Sequence, residues 1–259
     1  MAGEHSTEEI FARAVREGER RLSQPWLELV STSFIAGFTV VFGIVALGVV
    51  EAAAEPYGSV SRLAGALAFG VGVVFLVAGR VELFNENFAD PAAAVLDPDG
   101  SWGVASLGRL WTVTFVFNLL GGCLFALVFA VDGVLKPGTG EVLRAFAEEA
   151  TRRSVGAYLA SGIAGGALVS ALSFLLVTVD REGSRLALAY VVGVLLALGP
   201  FDHIVVTALH VYVGVLFGAG VTPGALLVLV VAVTAGNVVG GLGLVTLTHV
   251  FQVKGARMS

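Results

Sequence analysis

Two clusters of polar and ionisable side chains stand where an apolar run should continue. The run from Leu63 to Gly79 ends at Arg80-Val81-Glu82-Leu83-Phe84-Asn85, and the run from Leu186 to Phe201 ends at Asp202-His203. Each run is about a turn shorter than the roughly 20 residues that cross a bilayer core. Ionisable groups at such depth are costly unless they line a cavity or find partners. A matched pair of interrupted apolar segments, one in each half of a chain, points to a translocation site near the midplane.

An imidazole ordinarily titrates at about pH 6.5. His203 could attract a small anion as a cation, hydrogen-bond one as a neutral donor, or hand over a proton. The alternative is a histidine satisfied by a neighbouring span. Glu82 could hold the broken backbone by accepting amide hydrogen bonds or act as a proton relay; the structural role is the expectation. Asn85, Glu86 and Asn87 add polar groups to the unwound stretch. Asn118 and Asn237 sit mid-span, where an amide side chain needs partners. Tying down the irregular loops is their expected task, because non-helical backbone must be satisfied internally. His210 lies seven residues after His203, two turns along the same helix face, and His249 reads as an interface residue.

Other chemistries find no support. Glu82, Asp202, His203 and His210 could in principle ligate a metal, but no HExxH, CxxC or paired-carboxylate spacing accompanies them. No phosphate-binding glycine loop and no nucleophile–base pair is present, so neither a cofactor nor an enzyme is expected. No basic patch suggests nucleic acid. The single cysteine, Cys123, lies in an apolar run and reads as a packing residue.

The elements that must position these residues are membrane spans. The chain is 56% hydrophobic and 14% charged, with a mean hydropathy of +0.89; a soluble domain carries about 25% charged residues. An all-α, polytopic integral membrane protein follows. The net charge of −5 says little about partners, since most charge lies in loops. Residues 1–27 hold no apolar core and are expected to lack a cleavable signal peptide. They form instead an N-terminal amphipathic unit, with a surface helix over 7–23 that groups Ile10, Phe11, Ala14, Val15 and Leu22 away from Arg13, Arg16, Glu19 and Arg20.

The six-span unit covers 28–251, with Trp26 as an interface anchor and spans at about 28–50, 60–80, 108–131, 154–179, 185–218 and 223–251; a tail covers 252–259. The second and fifth spans are the interrupted ones. Pro200 removes a backbone donor before the fifth-span break, and 88–96 suits a short half-helix opening near Asp90-Pro91. Six spans put both termini on one side. Arg13, Arg16, Arg20, Arg21, Arg181, Arg185, Lys254 and Arg257 outweigh the lone Arg62 of the first-to-second loop, which makes that side cytoplasmic in a cell membrane. The third-to-fourth connection is an exception, with its basic residues offset by acids.

A weak repeat joins the halves. Ser33-Phe34-Ile35-Ala36-Gly37 echoes Ser161-Gly162-Ile163-Ala164-Gly165, and Asn118-Leu119-Leu120-Gly121-Gly122 echoes Asn237-Val238-Val239-Gly240-Gly241. The two breaks fall between the members of each set. Three spans per repeat invert the second copy relative to the first.

Four motifs then resemble one family over nearly the whole length. Gly79-Arg80-Val81-Glu82-Leu83-Phe84-Asn85 is similar to the Gly-x-(Asp/Glu)-Leu-Phe-Thr stretch of the formate/nitrite transporter family. Trp102-Gly103 with Trp111 and Asn118-Leu119-Leu120-Gly121, Phe201-Asp202-His203 (for Gly-Phe-Glu-His) and Gly236-Asn237-Val238-Val239-Gly240-Gly241 follow in order. The chain resembles a less characterised branch of that family.

The resemblance implies an aquaporin-like six-span protomer within a homopentamer, each protomer with its own pore. It implies that His203 is the central pore histidine. Phe69, Val73, Leu83 and Leu196 fall on the constriction positions, Leu196 replacing an aromatic. Asn85 stands where the best-studied branch has a threonine facing the histidine, and Thr207 where it has an asparagine, so both are expected to join His203 as pore residues that meet the solute. The family's basic residue near the start of the fourth span has no match in place, although Arg152 and Arg153 lie close.

The expected function is passage of small monovalent anions or their conjugate weak acids, such as formate, nitrite or hydrosulfide. Glu82, Asp202, Asn118 and Asn237 are expected to support the loops. A neutral-solute channel of the same fold and a nonconducting membrane scaffold or sensor stand as alternatives.

Overall fold

The structure, a computed structural model, describes residues 6–97 and 100–258. Residues 1–5 of the expected N-terminal unit and Ser259 of the expected tail lie outside the described residues, as do the side chains of Lys254 and Arg257 used in the charge count.

Helix α1 (Thr7–Leu22) opens with a capping box: Ser6 Oγ accepts from Glu9 N at 3.2 Å, and Glu9 Oε2 accepts from Ser6 N at 2.9 Å. The long apolar helix α2 (Trp26–Ala54) leads away from it. A single 3₁₀ turn, Glu55–Tyr57, returns the chain into α3 (Val60–Ala78). The backbone then leaves helical geometry. Val81 to Leu83 are non-helical, Phe84–Asn87 make a 3₁₀ turn, and α4 (Ala89–Leu96) follows. Helix α5 (Val104–Phe129) completes the first repeat.

The second repeat begins with α7 (Val155–Thr178), whose N-cap Ser154 accepts from Ala157 N. Helix α8 (Glu182–Leu198) then breaks at Gly199-Pro200-Phe201-Asp202, and α9 (Ile204–Leu216) starts after His203. Helix α10 (Pro223–Val238) carries proline in its first turn, where the missing donor costs nothing. It runs through a π-helical segment, Val239–Thr246, into α11 (Leu247–Met258). Between the repeats lies α6 (Thr139–Ala150), an amphipathic helix within the connection between the third and fourth spans. It packs Leu143 and Ala147 beneath α9, on the face opposite α1.

Among the described residues, five helices are long and apolar enough to cross a membrane, and α8 with α9 makes the sixth crossing from two shorter pieces. This is an all-α integral membrane fold: a six-span inverted repeat with interrupted second and fifth spans. Both ends of the described chain share one face, because α1 packs against α11 as well as α4. The tail expected at 252–259 continues the last span as helix to Met258.

Small residues let the spans touch backbone to backbone. A methyl on Gly37 of α2 would collide with the Asn118 carbonyl on α5, and one on Gly166 of α7 with the Asn237 carbonyl on α10. Likewise Gly121 lies against the Phe34 carbonyl and Gly240 against that of Ile163. These contacts pair Phe34 with Ile163 and Gly37 with Gly166. The structural repeat of α2 and α7 is thus one residue out of step with the sequence echo, which set Ser33 against Ser161. Shared composition set the echo, whereas shared contact sets the true register.

Gly37→Leu or Gly166→Leu should cost about 1–3 kcal/mol or more through overpacking, read as a lower thermal midpoint of detergent-solubilised protein. Gly108→Ala, whose methyl would enter open space on α5, should leave the midpoint unchanged or raised.

Candidate functional site

Each break exposes backbone groups that helix geometry no longer satisfies, and one asparagine serves each. Asn118 Nδ2 donates to the carbonyls of Ser33 at 2.8 Å and Glu82 at 2.9 Å, while its Oδ1 accepts from Phe84 N at 3.0 Å. Asn237 Nδ2 donates to the carbonyls of Gly162 at 2.7 Å and Asp202 at 2.6 Å, and its Oδ1 accepts from Ile204 N at 2.9 Å. In both cases one amide bridges a neighbouring span to two positions of the break, two residues apart. Both asparagines have no solvent exposure. Asn85 links the halves, donating from Nδ2 to the same Asn237 Oδ1 at 2.8 Å.

His203 is the N-cap of α9. Its Nδ1 accepts from Val205 N at 3.2 Å and Val206 N at 3.4 Å. A nitrogen that accepts two amide hydrogens carries no proton, so the hydrogen of the neutral ring sits on Nε2. That Nε2 is buried and has no partner among the described residues, as is also true of Asn85 Oδ1. The ring is thus fixed at its own helix terminus with one donor uncommitted.

Asp202 accepts from Ser161 Oγ in a short hydrogen bond and from Thr207 Oγ1 at 3.1 Å, and pairs with Arg153 Nη1 at 2.7 Å. Thr207, expected near the histidine, spends its hydroxyl on this acid. Arg153 stacks over Tyr158 with its guanidinium carbon 5.0 Å from the ring centroid. Arg152 and Arg153 lie close in sequence to the family's basic position, and the structure joins Arg153 to Asp202.

Phe69, Val73 and Leu83 are buried in one apolar cluster, and Leu196 packs against it half-buried. His210 is stacked flat on Phe146 of α6 at 3.5 Å, and His249 lies against Phe174 at 3.7 Å. Among the described residues no group of histidine, cysteine and acidic side chains could hold a metal ion.

Glu82 departs from expectation in its partners. Its carboxylate accepts from Gln24 Nε2 at 3.0 Å and Arg20 Nη2 at 3.2 Å, with Arg21 Nη1 at 3.8 Å. Only its main-chain carbonyl joins the loop clamp. The side chain instead anchors α1, whose Arg21 is buried and donates from Nη1 to the Glu86 carbonyl at 2.9 Å and Asn87 Oδ1 at 3.1 Å. Arg21 shares a helix face with Ala14 and Gly18, and that spacing of small residues was the overlooked signal in the sequence.

Burial alone would raise the Glu17 carboxyl, but hydrogen bonds from Arg20 and the charges of Arg21 and Arg20 outweigh it and hold it at about 2. Burial works against the Arg21 charge, yet Glu82, Glu17, Asp90 and Glu86 prevail and raise its pKa above the usual range. Since its folded pKa is depressed, Glu17 gives its full support to α1 above about pH 4.5 and loses it as pH falls toward about 2. Arg80, at the end of α3, has φ of +50°. That left-handed conformation favours glycine, the residue the family motif has two places before its acid.

A cavity of about 870 Å³ opens on the α1 face, lined by residues of α1, the end of α3, Glu82, Glu86 and the start of α8. Another of about 420 Å³ lies on the opposite face, among Phe129, Lys136, Arg144 and Phe217.

An inverted pair of broken spans closing on a buried imidazole is the architecture of a membrane channel or transporter. The chain belongs to the formate/nitrite transporter family, whose model matches residues 8–251. It is similar to the transporter YrhG of Bacillus subtilis, at 27% identity over 93% of this chain and 91% of that one. It also resembles a probable formate transporter of Methanothermobacter thermautotrophicus, at 25% identity over 86% of this chain and 88% of that one. Among solved structures, an FNT family ion channel superposes with a TM-score of 0.79 at 18% identity, covering 95% of this chain and 98% of that one. A pentameric formate channel with formate bound gives 0.69 at 20% identity, covering 92% and 98%. At these identities the structures establish the fold alone.

Asn237→Ala should orphan the Ile204 amide, the Asn85 side-chain amide and two carbonyls, at about 1–3 kcal/mol per buried group. Asn118→Ala should cost a similar amount, whereas Thr207→Val removes a single donor. Thermal unfolding of the three purified variants should rank both asparagines below Thr207.

Proposed function

We propose that the protein passes small monovalent anions, or their conjugate weak acids, of the size of formate, nitrite or hydrosulfide. The observation that carries this reading is His203: a buried ring whose Nδ1 is consumed by the α9 amides and whose Nε2–H is uncommitted. A small oxyanion or thiolate is a suitable acceptor for that hydrogen. The N-terminus of α9 adds a favourable field: its first amides are already paired, but the positive end of the helix dipole still favours negative charge there.

Phe69, Val73, Leu83 and Leu196 act in this scheme as the apolar constrictions, excluding hydrated ions, and Asn85 and Thr207 as polar groups beside the route. Charge at a bilayer centre costs several kcal/mol or more, so the solute crosses the apolar rings as its neutral acid. His203 orients the solute by hydrogen bonding. It does not surrender its proton, since loss of the Nε2 hydrogen would leave an imidazolate.

Family membership and the fold shared with a formate-bound channel support the solute class. The same neighbour's pentameric state supports a homopentamer, with the exposed apolar faces of the spans turned to lipid and to other protomers. The distribution of arginines supports cytoplasmic termini in a cell membrane, and the chain is 22% identical to an inner membrane protein of Escherichia coli, YfdC, over 92% of its length and 76% of that protein.

Uptake of formate, nitrite and hydrosulfide into liposomes at two pH values tests the reading. Wild-type protein should admit at least one of these solutes, more at the lower pH. His203→Phe should reduce uptake by about tenfold or more, the equivalent of about 1.4 kcal/mol of lost stabilisation at one site, while still purifying as the same oligomer. Uptake unchanged by that substitution would leave a neutral-solute channel as the better description.

A further inference from the structure

Passage as a neutral acid requires a proton that His203 is not built to give. The described residues hold one concentration of buried acids off that ring: Glu82 and Glu86 in the second-span break and Asp90 on α4, all buried beneath α1. Two arginines and a fourth acid join them from α1: Arg20, Arg21 and Glu17.

The cations are already committed. Arg20 donates to both Glu17 oxygens and to Glu82, and Arg21 donates to Glu17 and to main-chain and amide oxygens at Glu86 and Asn87. Asp90 Oδ2 accepts from Ser173 Oγ at 2.8 Å. Of these four acids, the Glu86 carboxyl alone receives no hydrogen bond from a described side chain. Its Oε1 is buried without a partner, although Glu86 is 4% exposed and lines the 870 Å³ cavity. Four ionised acids against two arginines would leave buried negative charge uncompensated, which low-dielectric surroundings penalise heavily.

We propose that the Glu82–Glu86–Asp90 cluster with Arg21 is a proton-binding site at the mouth on the α1 face, and that Glu86 gives its proton to the anion as it enters. This rests on the function proposed above. The step balances: the carboxylic O–H of Glu86 breaks, an O–H or S–H forms on the solute, and Glu86 is left as carboxylate. A hydronium ion from the cavity then restores the acid and leaves water. No redox partner is involved.

The surroundings suit the task. From α1, Arg13, Arg16, Glu17, Arg20 and Arg21 face the cavity; Arg80 faces it from the end of α3, and Asp180, Glu182 and Arg185 from the α7–α8 junction. Arg13 is paired with Asp180 at 2.6 Å, and Arg185 donates to the Leu176 carbonyl. Arg16 and Arg80 are exposed and draw anions toward the mouth. Glu86 also feels the charges of Arg21, Glu82, Asp90 and Glu17. α7 contributes Ser173, whose oxygen lies 3.0 Å from the Glu86 carbonyl, so that its single hydroxyl hydrogen is shared between that carbonyl and Asp90. His249 of α11 lines a small neighbouring cavity beside Asp90.

Infrared difference spectroscopy of the purified oligomer through a pH titration reads the site without any transported solute. Wild type should show a protonated-carboxyl C=O band near neutral pH that is absent in Glu86→Gln and kept in His203→Phe. In liposomes, Glu86→Gln should lower formate uptake by roughly tenfold or more, as loss of a positioned acid does, and flatten its pH dependence; Glu86→Asp should restore both. Uptake by Glu86→Gln at the wild-type rate and pH profile would overturn proton donation. A wild type that transports but lacks the band overturns the proton site alone. One that shows the band but moves no weak acid overturns donation together with the function above.

Discussion

Everything in this protein depends on keeping broken backbone satisfied where water is scarce. A helix crossing a membrane answers its own amides and carbonyls; an interrupted one does not, and each orphaned group costs several kcal/mol in hydrocarbon. Asn118 and Asn237 meet that demand with the same pattern of three hydrogen bonds, one asparagine per break. The breaks in turn allow His203 to sit at a helix terminus inside the protein. Its capping role fixes the ring, the tautomer and the direction of the spare hydrogen together.

Electrostatics is divided between the two faces. On the α6 side, Asp202 is answered by Arg153, Ser161 and Thr207, a nearly complete set of partners. On the α1 side the account is unbalanced: Glu17 and Glu82 hold the arginines, and Glu86 and Asp90 do not. A complete network rigidifies, whereas an incomplete one leaves buried polar atoms without partners at a cost. The inverted repeat therefore supplies symmetric backbone support with asymmetric charge, and that asymmetry distinguishes one mouth from the other.

Helix α1 illustrates how docking changes a helix's meaning. Its apolar face looked suited to a surface, and Val15 and Leu22 are indeed buried, but so is Arg21. Gly18 lets α1 approach until a methyl there would strike the Asp90 carbonyl. At that distance Arg21 reaches the 3₁₀ turn after the break and exchanges water for the Glu86 carbonyl and Asn87. Spacing alone placed Arg21 beside Ala14 and Gly18 on one face, yet nothing in the sequence said that the face would meet acids.

Composition and the truncated apolar runs determined the class of the molecule: membrane spans, two of them interrupted, with Glu82 and His203 at the interruptions and Asn118 and Asn237 deep in intact spans. Those features are legible because apolar length and the expense of buried polarity are local properties of a chain. The tertiary structure alone decided which groups meet. It shifted the α2–α7 repeat by one residue, because close packing, not residue identity, sets register. It turned Glu82 toward Gln24 and Arg20, formed α6 from a stretch too short and polar to read as a span, and brought Arg153 to Asp202. Each depends on contacts between residues far apart in sequence, and such distances are set by how helices pack.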